Sequence, residues 1–175
     1  MGGTNLDDAR VNWCKLEDLA RRRFVDVPKS PGVYFVRCSR GGKPVAIYRL
    51  GGRDEGSILY IGSSKDLRKR VGRFWRAITR GVGQHTVFST LAFCGLSDLV
   101  KSSELEVSWK ALRSPEDAER QEWAAMYHYC RKYKEPPPLN LIVERMKYMI
   151  LGLGRLGETP LAPEIDDYVK SVVDP

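Results

Sequence analysis

The chain is poorly supplied with the residues of nucleophilic catalysis. His85 and His128 are its two histidines, and it contains neither a G-x-S-x-G elbow nor a P-loop glycine pattern. Acid-rich clusters of the two-metal kind are also missing near the candidate strands. What remains is a set of tyrosines in extended runs, a strongly basic helical segment, and Glu122 on the apolar side of a second helix. Guanidinium and ammonium groups suit phosphate. An inward carboxylate needs an arginine, a cluster of donors or a cation beside it, because burying the charge unpaired is costly. A buried ion pair meets that need as well as a bound metal does.

The elements that must position these groups can be read from periodicity. In residues 65–80, Leu67, Val71, Phe74, Trp75 and Ile78 recur at helical spacing, and Lys69, Arg73, Arg76 and Arg80 occupy the other face. Seven basic residues against Asp66 give this segment a net +6, too little acid for a self-paired solvated face, so it reads as a surface that tracks phosphates. Arg68 and Arg70 both fall on flanks of the apolar stripe, and geometry does not choose between them. The second helix opens at Ser114-Pro115-Glu116-Asp117, with a cap, a first-turn proline and acids at the positive end of the dipole. It runs to about residue 133 with Ala118, Ala125, Met126, Tyr129 and Tyr133 inward and Glu122 among them. Glu116 and Glu119 sit at the edge of the stripe or beyond it, and His128 lies away from it.

Strand signals occur at 33–36 after Pro31-Gly32, at 45–50 after Gly41-Gly42, at 58–61 after Gly56, and at 105–112. The first three are most easily paired as an antiparallel meander, which the fourth joins or flanks. Helices are expected at 16–23, ending in Arg21-Arg22-Arg23, and at 141–153, where Asn140 is placed as an N-cap. The tail carries Glu158, Glu164, Asp166 and Asp167 and either folds over the domain or screens the basic face.

With 175 residues, 19.9 kDa and a net charge of +7, the chain fits one domain able to bury a core, with a preference for polyanionic partners. Cys14, Cys38, Cys94 and Cys130 are scattered without metal-finger or disulfide-framework spacing, as expected of free thiols in a reducing compartment. Asp7, Asp8 and Arg10 in place of a basic and then apolar leader, with no run of 18 apolar residues, complete the expectation of a soluble intracellular protein.

Gly32-Val33-Tyr34 and Tyr60-Ile61-Gly62 resemble the two halves of the GIY-YIG nuclease motif, and the resemblance continues through 63–70. It places Arg70 at the family's catalytic arginine, ten residues after the second tyrosine. It also places Glu122 at the single metal-binding glutamate of the late helix, and Asn140 at the asparagine that follows a proline-containing turn. The match covers roughly residues 31–140 and departs from the family twice. The stretch between Tyr34 and Tyr60 is longer than the short hairpin of many members, adding a strand at 45–50 or a substrate-contacting finger, and residues 134–138 expand the spacing before Asn140.

The resemblance implies an α+β fold, a small antiparallel sheet of three or more strands flanked by helices, with residues 1–30 as a helical extension, 31–140 as the nuclease core, and 141–175 as a C-terminal helix and acidic tail packed on the same domain. It implies hydrolysis of DNA phosphodiesters with one Mg²⁺ or Mn²⁺ on Glu122, a hard oxygen ligand suited to a cation that keeps several waters. Arg70 would hold the phosphate. Tyr34 or Tyr60 would take a proton from water, its phenol made more acidic by Arg70 and the cation. His85 would assist, as a histidine does in some members. Lys65, Arg68, Lys69, Arg73, Arg76, Arg80 and Asn140 are the expected nucleic-acid contacts, and Ser63 is expected to cap the helix. With no separate DNA-reading domain, recognition of DNA shape or help from a partner protein is favoured over a long specific site. The alternatives are a catalytically inactive nucleic-acid-binding module and a structural adaptor that recruits a partner.

Overall fold

The computed structural model describes residues 11–80, 100–140 and 166–175. His85, Cys94, the 141–153 segment, and Glu158 and Glu164 of the tail lie outside them. The fold is α+β. In chain order its elements are β1 (Cys14–Lys15), α1 (Leu16–Arg21), β2 (Gly32–Arg40), β3 (Lys43–Pro44), β4 (Ile47–Arg49), β5 (Gly52–Asp54), β6 (Ile58–Ser64), α2 (Leu67–Arg80), a 3-10 turn (Ser102–Glu104), β7 (Leu105–Ala111), α3 (Pro115–Tyr133) and α4 (Asp167–Val173).

β2 is the axis of the sheet. One edge pairs antiparallel with β7, while the other pairs with β6 from Gly32 to Arg37 and then with β3 through the Gly41-Gly42 turn; β1 adds to the outer side of β7. The sheet is therefore not the expected meander. Pro44 has no N–H with which to continue a ladder, and the chain after it leaves the main sheet to form a separate β4–β5 hairpin. The expected strand at 45–50 is shortened to Ile47–Arg49, while the expected strand at 105–112 joins the sheet as β7, beside β2.

The two-residue period of β2 sorts the core into two layers. Tyr34, Val36 and Cys38 face α1 and α2, where they meet Leu16, Leu19, Leu67, Val71 and Phe74; Val33 and Phe35 face α3 and α4, against Ala125, Tyr129, Val169 and Val172. Pairing slips between Val36 and Arg37, which leaves Leu59 as the extra residue of a bulge in β6. Gly32 is demanded by close approach: a Cβ there would stand 2.2 Å from the Lys110 carbonyl oxygen and 2.5 Å from Leu67 Cδ1.

The basic helix starts at Leu67, two residues later than its apolar period alone predicts. The cap is Asp66, whose Oδ1 accepts from the Lys69 N–H at 3.0 Å. α3 begins as expected, with Ser114 Oγ accepting from the Asp117 N–H, and ends at Lys134 in a left-handed conformation. The C-terminal end folds onto the domain: Asp166 pairs with Lys110 of β7 at 2.5 Å, and α4 covers the sheet face opposite α2. No helix among the described residues is long and apolar enough to cross a membrane.

Candidate active site

Two strands and one helix bring Tyr34, Tyr60 and Arg70 together. Tyr34 lies on β2 and Tyr60 on β6, both turned toward α2, with ring centroids 5.7 Å apart. From α2, Arg70 donates through Nε to the Tyr34 hydroxyl at 3.2 Å and through Nη2 to the Tyr60 hydroxyl at 3.4 Å. A guanidinium has five N–H donors in a rigid fork, so the two phenols fix its plane and leave donors for a phosphate. Phe74, one turn beyond Arg70, packs its ring against both tyrosines. Gly62 makes this packing possible: a Cβ there would lie 2.6 Å from Tyr60 Cε1 and 3.0 Å from Tyr34 Cε1.

The fourth group approaches from the other helix. Glu122 is 8% exposed on the buried side of α3 and accepts a hydrogen bond from Ser63 Oγ. Ser63 stands three residues beyond Tyr60 on β6, and the Glu122 charge acts on the Tyr60 phenol. Ser63 is thus tied to the glutamate, and Asp66, not the expected Ser63, caps α2. Glu116 and Glu119 are exposed, and His128 is half-buried.

The phenols are not acidified in this arrangement. Burial pushes Tyr34 well above the ordinary tyrosine value and Tyr60 above it as well; Arg70 pulls both down, but by less. The hydrogen bond between the two hydroxyls holds Tyr34 up and draws Tyr60 down. Arg70 alone therefore does not make either phenol acidic, because removing a phenolate from water outweighs one nearby guanidinium.

Two residues expected on nucleic acid serve the chain itself. Arg68 donates from Nε to the Val27 carbonyl and from Nη2 to the Val25 carbonyl, each at 2.7 Å, and so straps the loop after α1 to α2. Asn140 is buried: its Oδ1 accepts from the Ile61 N–H at 2.9 Å, and its Nδ2 donates to the Ile61 carbonyl at 2.8 Å. Leu139 N–H donates to the Leu59 carbonyl exposed by the bulge. Together these bonds complete the outer edge of β6 beside Tyr60. Asn140→Ala leaves both polar groups of Ile61 without partners, at about 1–3 kcal/mol each. The expected loss of stability is therefore about 2–5 kcal/mol in a urea melt, and a midpoint within 0.5 kcal/mol of wild type (roughly the range of an ordinary surface change) would show that the clamp is idle.

The other expected contacts remain on the surface. Lys65 just before α2 and Lys69, Arg73, Arg76 and Arg80 on it are exposed, and among the described residues none of the five makes an ion pair. Sequence reasoning did not identify the Ser63–Glu122 bond or the backbone clamp by Asn140, both of which join residues more than fifty positions apart.

The residues fit a divalent cation in one limited sense. No group of three or more His, Cys, Asp or Glu able to hold a metal occurs among the described residues, so a cation bound at Glu122 would keep most of its waters, as Mg²⁺ commonly does.

No family model and no curated protein matches the chain. Among solved structures, it is similar to the GIY-YIG N-terminal endonuclease domain of UvrC from Thermotoga maritima, a point mutant bound to its catalytic divalent cation. The identity is 19% and the TM-score 0.36, over 72% of this chain and 98% of that one.

Proposed function

We propose that the chain is a metal-dependent endonuclease that hydrolyses DNA phosphodiesters. The observation that carries this reading is Arg70 bridging the Tyr34 and Tyr60 hydroxyls, with Glu122 held by Ser63 of the same strand as Tyr60. Four elements, two strands and two helices, thus hold two phenols, a guanidinium and a carboxylate around the end of β6. A binding module needs the cation but has no use for the inward carboxylate, and a structural adaptor needs neither.

In this reading the donors of Arg70 left over by the tyrosines grip a non-bridging phosphate oxygen and offset charge developing on phosphorus. Tyr34 has no exposed surface; it orients Arg70 and donates to Tyr60. Tyr60, 3% exposed, feels the Glu122 charge, and in this reading it is the phenol that orients the attacking water. Glu122 is the residue that would hold a divalent cation, which would supply Lewis-acid chemistry toward the phosphate when bound. Lys65 and the four exposed cations of α2, Lys69, Arg73, Arg76 and Arg80, hold the flanking backbone. His85 is retained as an assisting residue on the family resemblance alone.

The test uses branched, bubble-containing and plain duplex DNA with Mg²⁺, Mn²⁺ or chelator, and wild type beside Arg70→Ala and Glu122→Ala. Cation-dependent nicking lost in both variants supports the reading. Binding without nicking assigns the chain to the module class, and neither activity assigns it to the adaptor class. The α2 row carries a separate expectation. For duplex binding in chelator, each of Lys69→Ala, Arg73→Ala and Arg76→Ala should lower the slope of log K against log salt by about 0.9, the value for one released phosphate contact. Slopes equal to wild type would remove the row from the interface.

A further inference from the structure

The hairpin inserted between the two motif halves is anchored on one face and bare on the other. Its inward residues are Ile47, Arg49 and Asp54. Ile47 packs on the core layer that holds the tyrosine pair. Arg49 pairs with Glu135 at 3.1 Å and donates to the Pro136 carbonyl. Asp54 is buried and accepts from the Ser57 and Ile58 N–H groups and from the Tyr129 hydroxyl at 2.8 Å. The tip is fastened too: Gly51 N–H donates to the Tyr133 carbonyl at 2.8 Å, Leu50 N–H donates to Glu135, and a Cβ on Gly51 would meet the Lys132 carbonyl oxygen at 2.5 Å.

Strand alternation turns the remaining side chains outward. Tyr48 is 82% and Leu50 83% exposed, and Arg53, opposite Tyr48 in the ladder, places its guanidinium 5.8 Å from the tyrosine ring while its Nε pairs with Glu55 at 3.1 Å. Exposed Arg131 and Lys134 border the tip at the end of α3, and among the described residues neither is ion-paired. A rigid support thus displays an aromatic ring flanked by an ion-paired arginine, an aliphatic neighbour two residues on, and a cationic rim at Arg131 and Lys134. Unpaired nucleobases want this combination: a flat apolar surface for stacking with positive charge beside it for the backbone. A purely apolar protein partner would have no use for the rim.

We infer that Tyr48 and Leu50 form a stacking platform for unpaired bases, so that the chain selects DNA with a splayed or bubbled segment over continuous duplex. The inference rests on the nuclease reading and names its substrate class. Glu122 and Tyr133 are 11 helical residues apart, about 16 Å at 1.5 Å per residue. This span corresponds to about five base pairs at 3.4 Å each. The unpaired segment is accordingly expected on one side of the cut and not at it.

The experiment measures binding by fluorescence anisotropy in chelator, with a plain duplex and a duplex of equal length carrying an unpaired segment. It compares wild type, Tyr48→Ala with Leu50→Ala, and Tyr48→Trp. The double variant should lose on the order of tenfold affinity for the DNA with unpaired bases, keep its affinity for duplex, and keep its salt slope; the tryptophan variant should equal or exceed wild type. Circular dichroism melts of all three should coincide, since both side chains are on the surface. Equal losses on the two DNAs, or no loss on either while wild type still binds, overturn the platform and leave the nuclease reading standing. A wild-type dimer in sedimentation that the double variant dissociates would make the face a contact between two copies and overturn the platform also. A wild type that binds no DNA removes both readings.

Discussion

Arg70→Ala is expected to slow strand cleavage by about two to three orders of magnitude in single-turnover measurements at saturating DNA and Mg²⁺, the usual cost of deleting one preorganised charge-stabilising donor. The effect should fall on the chemical step. Arg70 is half-buried and one of many cations on α2, so duplex affinity in chelator should change far less than rate. The fold should persist. Without the guanidinium the two phenols still hydrogen-bond to each other, and Phe74 still packs against both rings. A loss of about 1–2 kcal/mol is expected, typical of removing a charged hydrogen-bond partner. Arg70→Lys is a sharper probe than alanine. One ammonium keeps the charge but lacks the planar fork that reaches both hydroxyls while facing a phosphate, so most of the rate loss should remain. A lysine variant cutting at the wild-type rate would reduce Arg70 to a source of positive potential, and an alanine variant cutting at that rate would remove it from the site.

The parts of this site legible in the sequence are those written in local period. The apolar stripe of 65–80 fixed which side of α2 faces the sheet, and the Ser114-Pro115 start phased α3 so that Glu122 fell among Ala118, Ala125 and Tyr129, where it is buried. Tyr34 and Tyr60, each in a strand with a two-residue period, had to face the same helix if they were to meet Arg70, and they do. Less legible was whatever depends on which distant segments become neighbours. Pairing by shortest turn led to a meander, while β7 in fact lies beside β2, because burying both faces of the central strand favours a long apolar partner such as 105–111 over the proline-started run at 45–50. The same limit explains Arg68 and Asn140. Arg68 is expected on phosphate and Asn140 is placed by the family resemblance or as an N-cap, and each hydrogen-bonds backbone groups that periodicity does not show: carbonyls of the loop after α1 in one case, the edge of β6 in the other. The upward push of burial on both phenols is likewise a property of the assembled core.

Glu122→Gln separates the metal from the fold. The amide is nearly isosteric, and its oxygen can still accept from Ser63 Oγ, so the contact between α3 and β6 should survive. What is lost is the anionic oxygen a hard cation requires. The readout independent of turnover is thermal or urea stability with added metal. A cation that binds the folded state alone adds RT ln(1 + [L]/Kd), about 2.7 kcal/mol at a hundredfold excess over Kd. Wild type should gain stability progressively with Mn²⁺, whereas the glutamine variant should show a flat response, with the two proteins equal to within about 1 kcal/mol in chelator, as expected when a single hydrogen bond is retained. Cleavage should fall by about a thousandfold, equivalent to roughly 4 kcal/mol and in keeping with the several kcal/mol a Lewis-acid cation supplies. Duplex affinity in chelator should rise slightly, since a negative charge near the phosphate has gone. If Mn²⁺ stabilises the variant as much as wild type, the cation lies elsewhere, and the carboxylate on α3 is a structural partner of Ser63.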